Sequence, residues 1–235
     1  MKILIGLILC LTFQGIFLES ALASIDSNVR EFLENRETQW PEINLPNFKF
    51  SDTSKDLIYP QWFEGTWLVT SEDISKDTEE PITYKVNFFK NDLDLIIGDR
   101  AKNSESIGKA IFGDYLIKVV NDPQSINNQI TYLKDDLYID SRITGRNQIK
   151  DDNIFFADEL VIQTAHKPGA SRINQVETIS KFQKCSGDEF KENNLKKQNI
   201  CGYQYVASYG SKVGVPSIHP IKTNKYKLTF EFIES

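Results

Sequence analysis

Histidine is nearly missing from this chain: His166 and His219 are the only two among 235 residues. Methionine occurs once, and tryptophan and cysteine three times each. These scarcities exclude chemistry. Neither histidine stands at ligand spacing from a cysteine, so no zinc site is spelled out. His166, beside Lys167 at a strand end, and His219, between Ile218 and Pro220 in a loop, read as bystanders and not as general bases. There is no Gly-x-Ser-x-Gly elbow, P-loop, Gly-x-Gly-x-x-Gly or His-Glu-x-x-His, so the commonest hydrolase, nucleotide and zincin signatures are absent. Asp135-Asp136 and Asp151-Asp152 read as solvated turns and lack calcium-loop spacing. The expectation is a protein that is not an enzyme and needs no metal or cofactor.

Long apolar runs are equally scarce. The one marked run, Ile3 to Leu11, follows Lys2 and precedes Ala21-Leu22-Ala23. A basic start, a short apolar stretch and an A-x-A site predict a secretory leader over 1–23, cleaved after Ala23. No later segment approaches the length of about 20 apolar residues that a transmembrane helix needs. Cys10 lies within the leader, so export leaves Cys185 and Cys201. In an oxidising compartment that even pair reads as a disulfide, the alternative being two buried thiols. The formal net charge is −6. Removing the leader takes away one base, Lys2, and one acid, Glu19, and leaves the balance unchanged. An acidic chain without a dense basic stripe argues against nucleic acid as partner.

What is present in abundance is alternation. Ile82, Tyr84, Val86 and Phe88 alternate with polar residues, as do Tyr226, Leu228, Phe230 and Phe232, the period-two pattern of half-buried strands. Further strands are expected at 66–71, 93–97, 115–120, 130–133, 137–144, 154–164, 175–182 and 202–209. Asn121-Asp122-Pro123 and Lys167-Pro168-Gly169 mark turns. Residues 24–58 differ: a short helix over 28–38 carries Val29, Phe32 and Leu33, and Trp40-Pro41 to Pro46 makes an extended arm. One internal helix is expected, capped by Ser104, with Ile107, Ala110 and Ile111 on one face and Gly113 as its stop. The fold class is mainly β: a single antiparallel barrel of about 8–10 strands over 59–235.

Two polar features stand out. Asp158 shares the strand face of Phe156, Leu160 and Ile162, so if that face is buried the acid needs a partner, and Arg142, Arg146 and Arg172 are candidates. A bulge turning it outward is the alternative. Asp99-Arg100 with Asn103 reads as a polar lid over one barrel end.

The stretch from Tyr59 to Glu72 sets two tryptophans and a phenylalanine around Gly65. Its Gly65-Thr66-Trp67 triplet resembles the Gly-x-Trp that opens the first strand of lipocalin-type barrels, whose tryptophan closes the barrel floor. Together with Trp62-Phe63 and the run Gly98-Asp99-Arg100-Ala101-x-Asn103-x-x-Ser106-Ile107-x-Lys109-Ala110, it resembles an uncharacterised family of cyanobacteria and plant chloroplasts. That resemblance covers roughly 59–233 and implies the periplasm or thylakoid lumen as location, with no functional residues to carry over. The first functional expectation is a lipocalin-like protein holding a small apolar ligand, with Trp67, Phe88, Phe156, Leu228 and Phe230 as candidate lining. The second is a lumenal or periplasmic docking or assembly factor with a filled barrel, acting through the 24–58 arm and the 210–223 loop.

Overall fold

Alternation decides the architecture. A computed structural model describes residues 27–48, 55–76, 80–186, 198–212 and 215–234, with side chains 211–216 and 234 left aside. The expected leader and its cleavage site lie outside the described residues. The strands are β1 (Gly65–Asp73), β2 (Ile82–Lys90), β3 (Ile96–Gly98), β4 (Leu116–Asp122), β5 (Ser125–Leu133), β6 (Tyr138–Lys150), β7 (Ile154–Lys167), β8 (Ala170–Lys184), β9 (Ile200–Lys212), β10 (Val215–Pro216) and β11 (Lys222–Glu234). Helix α1 spans 27–38 and α2 spans Arg100–Phe112.

The strands form one antiparallel path, β3-β2-β1-β11-β9-β8-β7-β6-β5-β4, with β10 added to β9. Almost every neighbour is a hairpin, and the terminal strand β11 closes against β1, with Val69 opposite Phe230. This is an up-and-down order interrupted once, between β3 and β4, and the sheet curls into a half-barrel. Helix α2 connects those two edges and packs against both β2 and β4.

Sequence dictates how α2 closes the seam. It begins at Arg100, not after Ser104, because the Asp99 side chain accepts from Lys102 N at its first turn. It ends at Gly113, whose φ of 55° suits glycine. Beyond the short β3, strand β2 leaves backbone groups unpaired, and the helix supplies partners. Asn103 Oδ1 accepts from Asn87 N at 2.8 Å, Asn103 Nδ2 donates to Asn87 O at 3.0 Å, and Ser106 Oγ accepts from Lys85 N at 3.1 Å. A side-chain amide thus stands in for a neighbouring strand and blunts an open edge. Asn103→Ala removes both bonds from half-buried groups and is expected to cost about 1–3 kcal/mol, read by urea denaturation.

The expected amphipathic face of α2 is not realised as drawn. Ile111 is exposed, and the only residue of the helix that is fully buried is Gly108, against the side chain of Leu116. The reason is geometric: a helix bridging two edges has no broad sheet face to cover.

Both faces of the sheet are covered. Phe155 and Ala157 of β7 join one apolar cluster, and Phe156 between them joins the other. The inner cluster unites residues from strands far apart in the sheet: Trp67 and Val69, Val86 and Phe88, Phe155, Phe182, Leu228 and Phe230. Only a concave surface lets such strands meet. On the outer face lie α1 and the arm after it, with Val29, Leu33 and Ile43 against Ile149, Phe156, Ile179, Tyr205 and Tyr209. Phe48 of the arm lies directly over Gly145, where any Cβ would collide with its ring. Cys185 and Cys201 form a disulfide, Cα to Cα 5.0 Å, at the end of the β8–β9 pair.

Candidate functional site

The inner face is built around residues 57–63, which precede β1. Gln148 holds this segment as an extra strand would, accepting from Ile58 N at 3.0 Å and donating to Ile58 O at 2.8 Å. Tyr59 N donates to Ile96 O at 2.8 Å. A 3-10 turn at Gln61–Phe63 then drives Phe63 into the centre of the half-barrel, fully buried. Its ring lies 4.9 Å from Phe88, 5.6 Å from Phe155, 6.0 Å from Phe182 and 5.8 Å from Phe230, all edge-on. Tyr59 stacks on Phe155 at 4.6 Å, and its hydroxyl is pushed well above its usual range, first by burial and then by the Glu159 and Asp56 charges. Trp67 is also fully buried and its indole N–H donates to Phe63 O at 2.7 Å. The tryptophan therefore finds the one polar partner that its ring requires.

Four of the five candidate lining residues, Trp67, Phe88, Leu228 and Phe230, meet in this cluster. Phe156 does not. It faces outward beneath Lys181, whose Nζ stands 5.0 Å above its ring. Strand alternation separates it from Phe155 by one residue and therefore by the thickness of the sheet.

Next to the aromatic cluster, on the same face, lies a polar one. Arg146 donates from Nε to Glu159 at 2.8 Å and also reaches Lys55 O, and Arg100 pairs with Asp56 at 2.9 Å. These groups anchor the segment before Tyr59. Asp99-Arg100 and Asn103, expected as a lid, turn out to cap the helix, hold residue 56 and satisfy β2.

The outer face holds a second buried polar group that periodicity located only in part. Asp158 is fully buried, as its position beside Phe156 implied, but its neighbours are none of the three expected arginines. Arg36 of α1 reaches down instead. It donates to Glu177 Oε1 from Nε at 2.8 Å and from Nη2 at 2.5 Å, and to Oε2 at 2.5 Å. The Tyr209 hydroxyl donates to Glu177 Oε2 at 2.6 Å. Asp158 Oδ2 lies 3.9 Å from Arg36 Nε, and no hydrogen-bond donor among the described residues reaches either of its oxygens. Burial, and then the Glu177 charge, raise the Asp158 carboxyl well above the usual carboxylate range. Burial alone would disfavour the Arg36 charge, but Glu177 and Asp158 more than offset it, so the guanidinium is held on more firmly than usual. A signal for Arg36 was present: it falls three residues after Leu33 and seven after Val29, on the same apolar stripe.

The remaining polar candidates are surface features. His166 stacks on Tyr138 at 4.5 Å and its Nδ1 lies 3.2 Å from Ser171 Oγ, an exposed cross-strand pair. The Asp151 turn accepts from Asn153 N and Ile154 N at 2.8 Å, and these bonds hold its carboxyl below the usual range. Asp135 and Asp136 are exposed with φ of 61° and 54°. Among the described residues no three of His, Cys, Asp and Glu are grouped to hold a metal, and no helix is long and apolar enough to cross a membrane.

A family model described as a domain of unknown function, DUF6816, matches residues 70–233, from the middle of β1 to the end of β11. The chain belongs to the DUF6816 family. No curated protein and no solved structure matches it. The matched span of this DUF6816 protein takes in every strand from β2 to β10, α2 and the disulfide, whereas α1, the arm and the Phe63 turn precede it.

Proposed function

We propose that this DUF6816 protein is a non-enzymatic, exported docking or assembly factor that works through protein contacts. The observation carrying this reading is Phe63. The chain's own aromatic ring occupies the centre of the half-barrel, where a carrier would place its ligand. The leader read from the sequence and the Cys185–Cys201 disulfide support an oxidising compartment such as a periplasm or thylakoid lumen.

The contact surface belongs to the segment before β11. The arm, the other nominated surface, is packed down on the fold: Ile43 is fully buried, and Leu45 N donates to the backbone of this same segment, at Ile218 O, at 2.7 Å. That leaves Ile218 and Ile221, 64% and 70% exposed on adjoining turns, as apolar side chains offered to a partner. The double variant Ile218→Asp with Ile221→Asp keeps the fold, since neither side chain is buried, and is expected to lose a partner that co-purifies with the wild type from the native source. Co-purification unchanged by the double variant refutes this surface.

A small-ligand role has one supporting observation. A groove of about 250 Å³ opens between β8, β9 and β11, bounded by Lys181, Gln183, Tyr203 and Lys227 over Phe182 and Leu228. Native mass spectrometry of gently purified protein separates the two roles. Extra mass released on denaturation establishes a carrier, and a bare polypeptide supports docking.

A further inference from the structure

The cluster beneath α1 contains one cation and two acids, all withdrawn from water. Arg36 is committed to Glu177 by three short hydrogen bonds, and Tyr209 donates a fourth. Asp158 has no hydrogen-bond donor among the described residues and shares Arg36, 3.9 Å from its Oδ2, with Glu177. Two buried carboxylates against one guanidinium leave a net negative charge, which is unfavourable in a site closed to water. A proton on Asp158 removes that charge and turns the carboxyl into a donor toward Glu177. We propose that α1 is a proton-held lid: it stays clamped to the outer face by Arg36 while Asp158 is protonated, and loss of that proton releases it.

The surroundings confine the effect to this one group. From α1, Arg36 faces Asp158. From β6 the cross-strand neighbour is the neutral Asn147 and from β8 the apolar Ile179, with Glu177 two residues from it on the same face; Tyr209 of β9, whose hydroxyl burial pushes above its usual range, donates to Glu177. Glu159, next along β7, points to the opposite face and adds a weaker like-charge push. The neighbouring contact of the lid, Glu37 with Lys181 at 2.6 Å and with the Tyr205 hydroxyl at 3.0 Å, is part-exposed, and its unlike charges balance one another. The element that has to move is α1, whose Arg36 lies 3.9 Å from Asp158 Oδ2.

The sign follows from the raised carboxyl. The folded form binds the Asp158 proton more tightly than an open form, where the group regains its ordinary value. Docking is therefore strongest in acid, and weakens as pH rises above that ordinary value and through the raised one. Release bares Phe156, Ile179, Tyr205 and Tyr209, and frees a helix with Val29, Phe32 and Leu33 on one side. The lid is independent of the docking role of Ile218 and Ile221, and its test does not involve them.

The experiment is amide hydrogen exchange on the full exported chain, as protection factors corrected for intrinsic rates, between about pH 5 and about pH 9. Protection over 27–38 is expected to fall at least about tenfold on going to the higher pH, with β8 and β9 still protected, a tenfold change being one pKa unit of linkage. Asp158→Asn, which keeps the shape and a donor but no charge, is expected to leave α1 protected throughout. An infrared band of a protonated carboxyl should vanish with the same midpoint in wild type, which tests the idea without any variant. Protection of α1 that does not change with pH, that falls equally in D158N, or that falls together with β8 and β9, overturns it.

Discussion

Phe63→Ala will cost about 3–5 kcal/mol of unfolding free energy, measured by guanidinium denaturation at constant slope. The ring touches four others belonging to β2, β7, β8 and β11, so its removal leaves a hole that no single neighbour can fill. These strands are held in a sheet and cannot collapse inward without breaking their ladders, which places the cost in the upper part of the range for core truncations. The same variant carries a functional reading. A cavity lined by Phe88, Phe155, Phe182 and Phe230 stays dry and accepts a small aromatic molecule, so benzene is expected to restore part of the lost stability to F63A and none to the wild type. Stabilisation of the wild type by benzene would mean that the inner face is already open to ligands, and would return the apolar-carrier reading to first place.

Arg36→Ala will cost about as much, roughly 3–5 kcal/mol, but in a different place. The substitution strands Glu177 and Asp158 in a site closed to water, and the penalty for that burial exceeds anything the lost hydrogen bonds contribute by themselves. The molecule can avoid the penalty by letting go of α1. Hydrogen exchange should accordingly find 27–38 unprotected while the β7–β8 ladder persists, and the measured global loss will be smaller than the local one. Replacing the whole trio, Arg36→Met with Glu177→Leu and Asp158→Leu, should recover most of the stability, because apolar groups of similar volume need no partners. Recovery with the trio and loss with the single variant together separate charge burial from packing. An Arg36→Ala protein whose α1 remains protected would show that Val29, Leu33 and Ile43 alone hold the helix down.

Much of the fold was legible because strand alternation is a local property. The strands from Ile82, Ile154 and Lys225 onward announce themselves in the period of their own side chains, and the terminal strand closing on the first follows from the need to remove edges. Cys185 and Cys201 were legible by counting. Asp158 was half legible: its parity with Phe156 and Leu160 put it on a buried face, which is the outer one beneath α1, and nothing near it in sequence named Arg36, which lies more than a hundred residues away. The expectation of Arg146 as its partner failed because Arg146 pairs across with Glu159 on the opposite face. A reader of one strand sees which residues share a face but not which element lies on that face.

The period and spacing of the residues already specify a mainly antiparallel β protein with a helical arm, one internal helix and no motif for the common hydrolase, nucleotide or zincin chemistries. These conclusions rest on composition, spacing and period, all carried within a few residues of one another. Long-range packing settles the rest: the sheet is covered on both faces, Phe63 fills its hollow, α2 bridges the seam between β3 and β4, and one arginine stands between two buried acids. Each of those depends on contacts between residues distant in the chain, set by how far a twisted sheet curls before its first and last strands meet. Curvature is a property of the whole sheet, and no single strand encodes it.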